Sequence, residues 1–304
     1  MLCDTLFSND EPLNNKSNLI VFDTSWVAHA SALAKAYNWM SSGGVFSGHI
    51  FGFMAKVFSM FRCCGKADIE KTELVFVFDE FPEETYKIFP EYKGGRNREY
   101  NPVVDIKELV KLFSCSYASA PGTEADHVIG SLVFNYHKTH NVSVISRDKD
   151  LWQLLDLENV TLTSRATEEV TLQEFEQKFG ITKPANLALH KAIFGDPSDN
   201  IPKLPGRLSH KKILKFVELS DGSPSNFYSL LDAEELGKFL FDILIVNREQ
   251  VETMFKITQL KRDVKYTLVD NYLKSTNMQP LINYLHKFGI FKFDEKVCTL
   301  FHKG

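Results

Sequence analysis

The chain has 304 residues, 44% of them hydrophobic, and 39 acidic against 35 basic side chains give a formal charge of −4. That length builds one large domain or two small ones with a proper core, and no run of eighteen apolar residues predicts a membrane-spanning helix. Five cysteines without a CxxC pair argue against a zinc site or a disulfide framework, and the acidic balance by itself argues against a general nucleic-acid binder.

Residues 1–17 are polar and acidic and lack the charged and apolar regions of a signal peptide. They read as a loose lead on a cytoplasmic protein. NLIVF (18–22) predicts a strand, and SWVAHASALAKAYNWM (25–40) and FGFMAKVFSMF (51–61) predict helices. ELVFVF (73–78) is a second strand, PVVDIKELVKLF (102–113) a helix with Pro102 in its first turn, and CSYAS (115–119) a short strand. TEADHVIGSLVFNY (123–136) predicts a helix capped by Thr123, with Asp126 placed as in a capping box. VSVIS (142–146) and VTLTS (160–164) complete the strands. Strands alternating with helices imply an α/β fold, a mostly parallel sheet covered on both faces. From about 170 the pattern turns to short helices, over 171–180, 186–195, 211–219, 233–246 and 280–289, and no further strand is expected.

The acidic residues fall at particular places. Asp23 follows the first strand, Asp79 the second, and Asp148 and Asp150 the strand at 142–146, while Glu124 and Asp126 open a helix. In a parallel sheet the carboxyl ends of the strands share one edge, where ligands bind. The turn FGDPSDNIP (194–202) adds Asp196 and Asp199, which brings the acids to eight. A turn uses Gly, Pro, Asp and Asn for ordinary backbone reasons, and a lone Asp after a strand is usually a cap. Eight acids at one edge repel, and with no basic residue interleaved at most of these positions, hard divalent cations are the natural counter-charge. Eight carboxylates suggest two ions, Mg²⁺ with Mn²⁺ as substitute, which is the arrangement of phosphoryl-transfer sites.

VFDTS, VFVFDE, EYKGGR, TEADHVIGSL, SRDKDLWQLL and FGDPSDNIPKLPG occur in this order over roughly residues 18–216. Together they resemble the 5′ nuclease family: flap endonucleases, the 5′–3′ exonuclease domain of bacterial DNA polymerase I, and stand-alone phage enzymes of the phage RNase H type. The resemblance implies a PIN-like catalytic domain over 18–180, with a short arch or clamp near 90–113. It implies a helical DNA-binding part over 181–304 carrying a helix-hairpin-helix-like segment at 200–216. It implies two-metal hydrolysis leaving 5′-phosphate and 3′-hydroxyl, with Asp23, Asp79, Glu124, Asp126 and Asp148 around one ion and Asp148, Asp150, Asp196 and Asp199 around the other. Lys93 and Arg96 would meet the scissile phosphate, and Tyr92 would stack on a terminal base. Lys203, Arg207, Lys211, Lys212 and Lys215 would supply positive charge to duplex phosphates. Taking the eight site acids out of the formal charge of −4 leaves about +4 for the rest, acceptable for a phosphate binder.

Three departures stand out. His127 replaces the last acid of the family's EADD, as an outer-shell group of the metal site, a phosphate contact or a weaker metal ligand. The hairpin glycines are altered at Gly206–Lys211, which argues against a potassium ion on its carbonyls. Only 32 positions separate Tyr92 from Glu124, short for a full arch. The implied function is a structure-selective 5′ nuclease, a monomer with no membrane association, that removes RNA primers or 5′ flaps from branched or 5′-ended DNA and RNA–DNA duplexes. A single-strand-binding protein or polymerase clamp is a candidate partner. The alternatives are a non-catalytic DNA-binding relative and a PIN-type ribonuclease.

Overall fold

The computed structural model describes residues 16–34, 44–63, 72–94, 101–165, 168–270 and 277–294. β1 (Ser17–Asp23) is buried along almost its whole length, as a strand covered on both faces must be. It pairs in parallel with β2 (Thr72–Val77) on one side and β4 (His140–Ile145) on the other. β3 (Ser116–Ser119) and β5 (Val160–Arg165) extend the parallel part. Two short antiparallel strands close the edges, β6 (Glu168–Glu169) and β7 (Thr267–Asp270), so the seven-stranded order is β6-β5-β4-β1-β2-β3-β7. The expectation that strands end near 170 is therefore corrected. β7 is short and largely exposed, and it gains its backbone partners only because β3 lies free beside it.

Alternation along β1 sends Ile20 and Phe22 to one face and Leu19 and Val21 to the other. The first face is covered by α1 (Thr24–Leu33), α2 (Gly48–Cys63) and α4 (Val103–Val110). The other packs on Val128, Ile129, Leu132 and Val133 of α5 (Ala125–Tyr136). Between β2 and α4 a short helix α3 (Glu83–Ile88) leads to the turn at Tyr92 and Lys93. Beyond Ile88, residues 95–100 of the expected arch lie outside the described residues, Arg96 among them. So do residues 35–40 of the long helix expected over 25–40.

The second half forms its own core around Phe175, Leu189, Ile193, Ile213, Phe227 and Leu244. It is built by α6 (Leu172–Phe179), α7 (Leu187–Phe194), α8 (His210–Leu219), α9 (Pro224–Leu230), α10 (Ala233–Leu236), α11 (Lys238–Val246) and α12 (Arg248–Thr258). α7 and α8 flank the turn 195–209. Residues after Leu260 do not stay with these helices. Leu260 packs under α5, β7 joins the sheet, and α13 (Gln279–Lys287) places Leu281 and Leu285 in the core of α1 and α2. The close approach depends on Gly130 in α5, where an added Cβ would lie 2.6 Å from the Lys261 carbonyl oxygen. Within the part expected to be helical over 181–304, β7 and α13 thus pack with the sheet half of the molecule.

Candidate metal centre

Strand register builds one side of the site. β1 and β4 pair so that Phe22 faces Ile145, which brings Ser146 beside Asp23. The Ser146 hydroxyl donates to Asp23 Oδ2 at 2.6 Å, and Trp26 N donates to Asp23 Oδ1 at 2.9 Å. Asp23 thereby caps α1 while its carboxyl stays buried at the sheet edge. Burial, then the charges of Asp79 and Asp148, push it up to about 7. Asp79, at the rim, accepts from Ala125 N at 2.7 Å and so caps α5 from outside that helix. The expected Thr123 cap is corrected, since the N-cap residue is Glu124 and the capping oxygen comes from another strand's end.

α5 presents Asp126, and the turn after β4 presents Asp148 and Asp150. Ligand oxygens of these three lie within 4.8 Å of one another. Asp148 is set by its own backbone, its N–H donating to Ser146 Oγ at 3.0 Å and its Oδ1 accepting from Asp150 N at 2.9 Å. Burial, then Asp148 and Asp23, raise Asp126 well above the ordinary carboxyl range. Burial also dominates at Asp150, pushed up to about 7 in spite of Lys191. Buried carboxyls that resist ionisation are short of positive charge, and three converging oxygens suit a hard divalent ion. The residues therefore fit Mg²⁺ or Mn²⁺. The triple takes Asp126 from one expected ligand group and Asp150 from the other, with Asp148 common to both.

Glu124 faces a different neighbour. The Tyr92 hydroxyl donates to Oε2 at 2.8 Å and the Lys93 ammonium to Oε1 at 2.5 Å. Lys93 has φ +51, its N–H donates to the Asp199 carbonyl at 3.2 Å, and its ammonium lies 3.9 Å from Asp199 Oδ1. Tyr92 is 4% exposed and sits in the core of the helical half. Its ring has no face left for a base, so the expected stacking role is corrected to a hydrogen bond that orients Glu124.

Sequence reasoning missed Lys191. It lies on α7, where Leu187, Ala188, Leu189, Ala192 and Ile193 are also buried. Its ammonium bonds Asp150 Oδ1 and lies 2.7 Å from Asp196 Oδ2. Burial would raise Asp196, but Lys191 and the Ser198 donors outweigh it and hold this carboxyl below the ordinary range. Metal ions are therefore not the sole candidate counter-charge, because two lysines, Lys191 buried and Lys93 partly buried, stand among the acids. The signal lay in spacing: Lys191 is five residues before Asp196, across the bend at Gly195.

His127 is not part of the acidic triple. Its Nδ1 accepts from Lys261 N at 3.4 Å, and the residue lines a cavity of about 330 Å³ with Glu124 and Lys261. Burial, then Lys261 and Lys93, lower it to about 4, so the ring is neutral at pH 7 with its proton on Nε2. Among the hairpin cations, Lys203, Arg207 and Lys211 are exposed. Lys212 donates to the carbonyls of Glu235 and Leu236 at 2.9 and 3.1 Å, and Lys215 pairs with Glu235 at 2.5 Å.

A mostly parallel sheet that gathers carboxylates and ammonium groups at its carboxyl edge defines an α/β protein with a candidate divalent-metal site at that edge. A family model described as "5′-3′ exonuclease, N-terminal resolvase-like domain" matches residues 18–180, and the chain belongs to this 5′ nuclease family. It is 29% identical over 242 residues to a 5′-3′ exonuclease of Aquifex aeolicus, covering 77% of this chain and 78% of that one. It is 28% identical to DNA polymerase I of Lactococcus lactis over 94% of this chain but 34% of the polymerase, so it spans about a third of such relatives. In fold it is similar to the bacteriophage T5 flap endonuclease in a pseudo-enzyme-product complex with DNA and metal ions, with a TM-score of 0.60 and 17% identity over 93% of this chain and 98% of that one.

Proposed function

We propose that the protein is a structure-selective 5′ nuclease that hydrolyses phosphodiesters in branched or 5′-ended DNA and RNA–DNA duplexes. The observation that carries this reading is the convergence of Asp126, Asp148 and Asp150 within 4.8 Å, beside the Lys93–Glu124 pair. Divalent ions held there, two in number and normally Mg²⁺, would supply Lewis-acid charge and an ionised water. The chain's own residues do the rest. Asp126, Asp148 and Asp150 would hold the ions, with Asp23 buried beside them and Asp79 at the rim. Lys93 faces the charge that develops on the phosphate, and Arg96 is proposed to join it. Exposed Lys203, Arg207 and Lys211 grip duplex phosphates without reading sequence. Removal of RNA primers or 5′ flaps during replication in the cytoplasm, by a monomer, fits these features. The names of its relatives, exonucleases, DNA polymerase I and a flap endonuclease, support the same chemistry.

The test is incubation with a 5′-labelled flap, an RNA-primed duplex and single strands, with and without Mg²⁺. Cutting near the 5′ junction that needs Mg²⁺ and falls at least about 100-fold in Asp148→Asn, with DNA binding kept, is expected. Tight flap binding without cleavage in Mg²⁺ or Mn²⁺ would overturn the enzyme reading in favour of a binding module. Preference for single-stranded RNA would favour a PIN-type ribonuclease.

A further inference from the structure

The two ends of the acidic cluster are not equivalent. Among the described residues, no ammonium group bonds Asp126 or Asp148, whereas Lys191 bonds both Asp150 and Asp196. Lys191 is 4% exposed, and its helix is buried on several sides, which leaves the ammonium no polar room except among the acids. Both acceptors are pinned. Asp196 Oδ1 accepts from Ser198 N at 2.9 Å and Ser198 Oγ at 2.5 Å, and its backbone exchanges two hydrogen bonds with Ile201. Asp150 is tied through its N–H to Asp148.

The geometry points to Lys191 as a resident counter-ion that competes with a divalent cation for the Asp150–Asp196 end. This inference rests on the metal reading of the cluster given above. A divalent ion bound by Asp150 and Asp196 would lie within a few ångströms of the ammonium, where like charges repel strongly. The Asp126–Asp148 end therefore fills first. The other end fills weakly until a second anion, such as a substrate phosphate, gives the ammonium another partner. Lys191 is in this sense a specificity-determining residue: it couples the second ion to the presence of substrate.

The test is calorimetric titration of the DNA-free protein with Mn²⁺ at neutral pH, with bound ions counted by electron paramagnetic resonance. The wild type is expected to bind one ion and a second at least about tenfold more weakly. In Lys191→Met the second ion tightens by about tenfold or more. Lys191→Gln, which keeps a polar stem without the charge, behaves the same way, while Lys191→Arg keeps the weak second site. Circular dichroism checks that each variant is folded. Equal affinity of the two ions in the wild type, or an unmoved or weakened second ion in both neutral variants, would overturn the proposal. The first ion tests the underlying reading separately. If no ion binds, or if Asp148→Asn leaves the first ion untouched, the metal centre itself fails and the role of Lys191 fails with it. A normal first ion with an unchanged second removes only Lys191.

Discussion

The Tyr92 hydroxyl donates a 2.8 Å hydrogen bond to Glu124 Oε2 from inside the core of the helical half. One carboxylate at the sheet edge is therefore held by a side chain whose ring packs in the core of the other half of the molecule. Tyr92→Phe removes the donor and keeps the ring. It is expected to cost about 1.5–3 kcal/mol in urea unfolding, the range for a buried hydrogen bond to a charged group. Affinity for a flap duplex should stay within about twofold.

Asp23 governs part of the pH dependence. Its carboxyl is raised from 3.8 to about 7 by burial, then by Asp79 and Asp148. A raised carboxyl stabilises the fold fully below its unfolded value, and that contribution is lost as pH rises through the folded one. In EDTA, stability from this group thus falls between pH 4 and pH 7. Asp23→Asn flattens that fall and makes the metal-free protein more stable at pH 8, by about 2 kcal/mol. Millimolar Mg²⁺ should reverse the order, because only the wild type offers the full charge. Urea unfolding at both pH values, with EDTA and with Mg²⁺, checks this.

Gly195 carries the turn that presents Asp196 and Asp199. Its φ is +80, and an added Cβ would meet Lys203 N at 2.7 Å and the Ile201 carbonyl oxygen at 2.9 Å, both backbone. Gly195→Ala has no flexible neighbour to displace. A loss of at least about 2 kcal/mol is expected, along with cleavage activity, since the turn must shift. Thermal unfolding and a flap assay on the same preparation would show both.

Leu285 lies in the last described helix yet is fully buried with Ile20, Met54 and Leu109. Leu285→Ala should cost about 2–5 kcal/mol, as much as Leu109→Ala in the catalytic half. Both variants should melt in a single transition that includes the sheet. An early separate melting of the C-terminal residues would contradict the shared core.

Much of this centre was legible in the chain. Continuous apolar runs ending in Asp23, Asp79 and Asp148 predict parallel strands with acids at one edge, because strand direction and burial on two faces are local consequences of composition. Less local features were not. β7 was missed although Val264, Tyr266 and Leu268 alternate into it; it is short and largely exposed, and its backbone partners come from β3. The α5 cap comes from Asp79, 46 positions away, so a capping box written in sequence was displaced by a carboxylate that folding delivers.

The sequence by itself determined the parallel α/β architecture, the eight acids and the basic turn at Lys93, since each depends on residue type, period and order along the chain. Only the tertiary structure decided how the charges are divided. It set Asp126, Asp148 and Asp150 together, drew Tyr92 into the core of the helical half, and placed the Lys191 ammonium between Asp150 and Asp196. The physical reason is that a buried charge is settled by what surrounds it in space, and the surroundings of Asp150 include a residue 41 positions further along the chain.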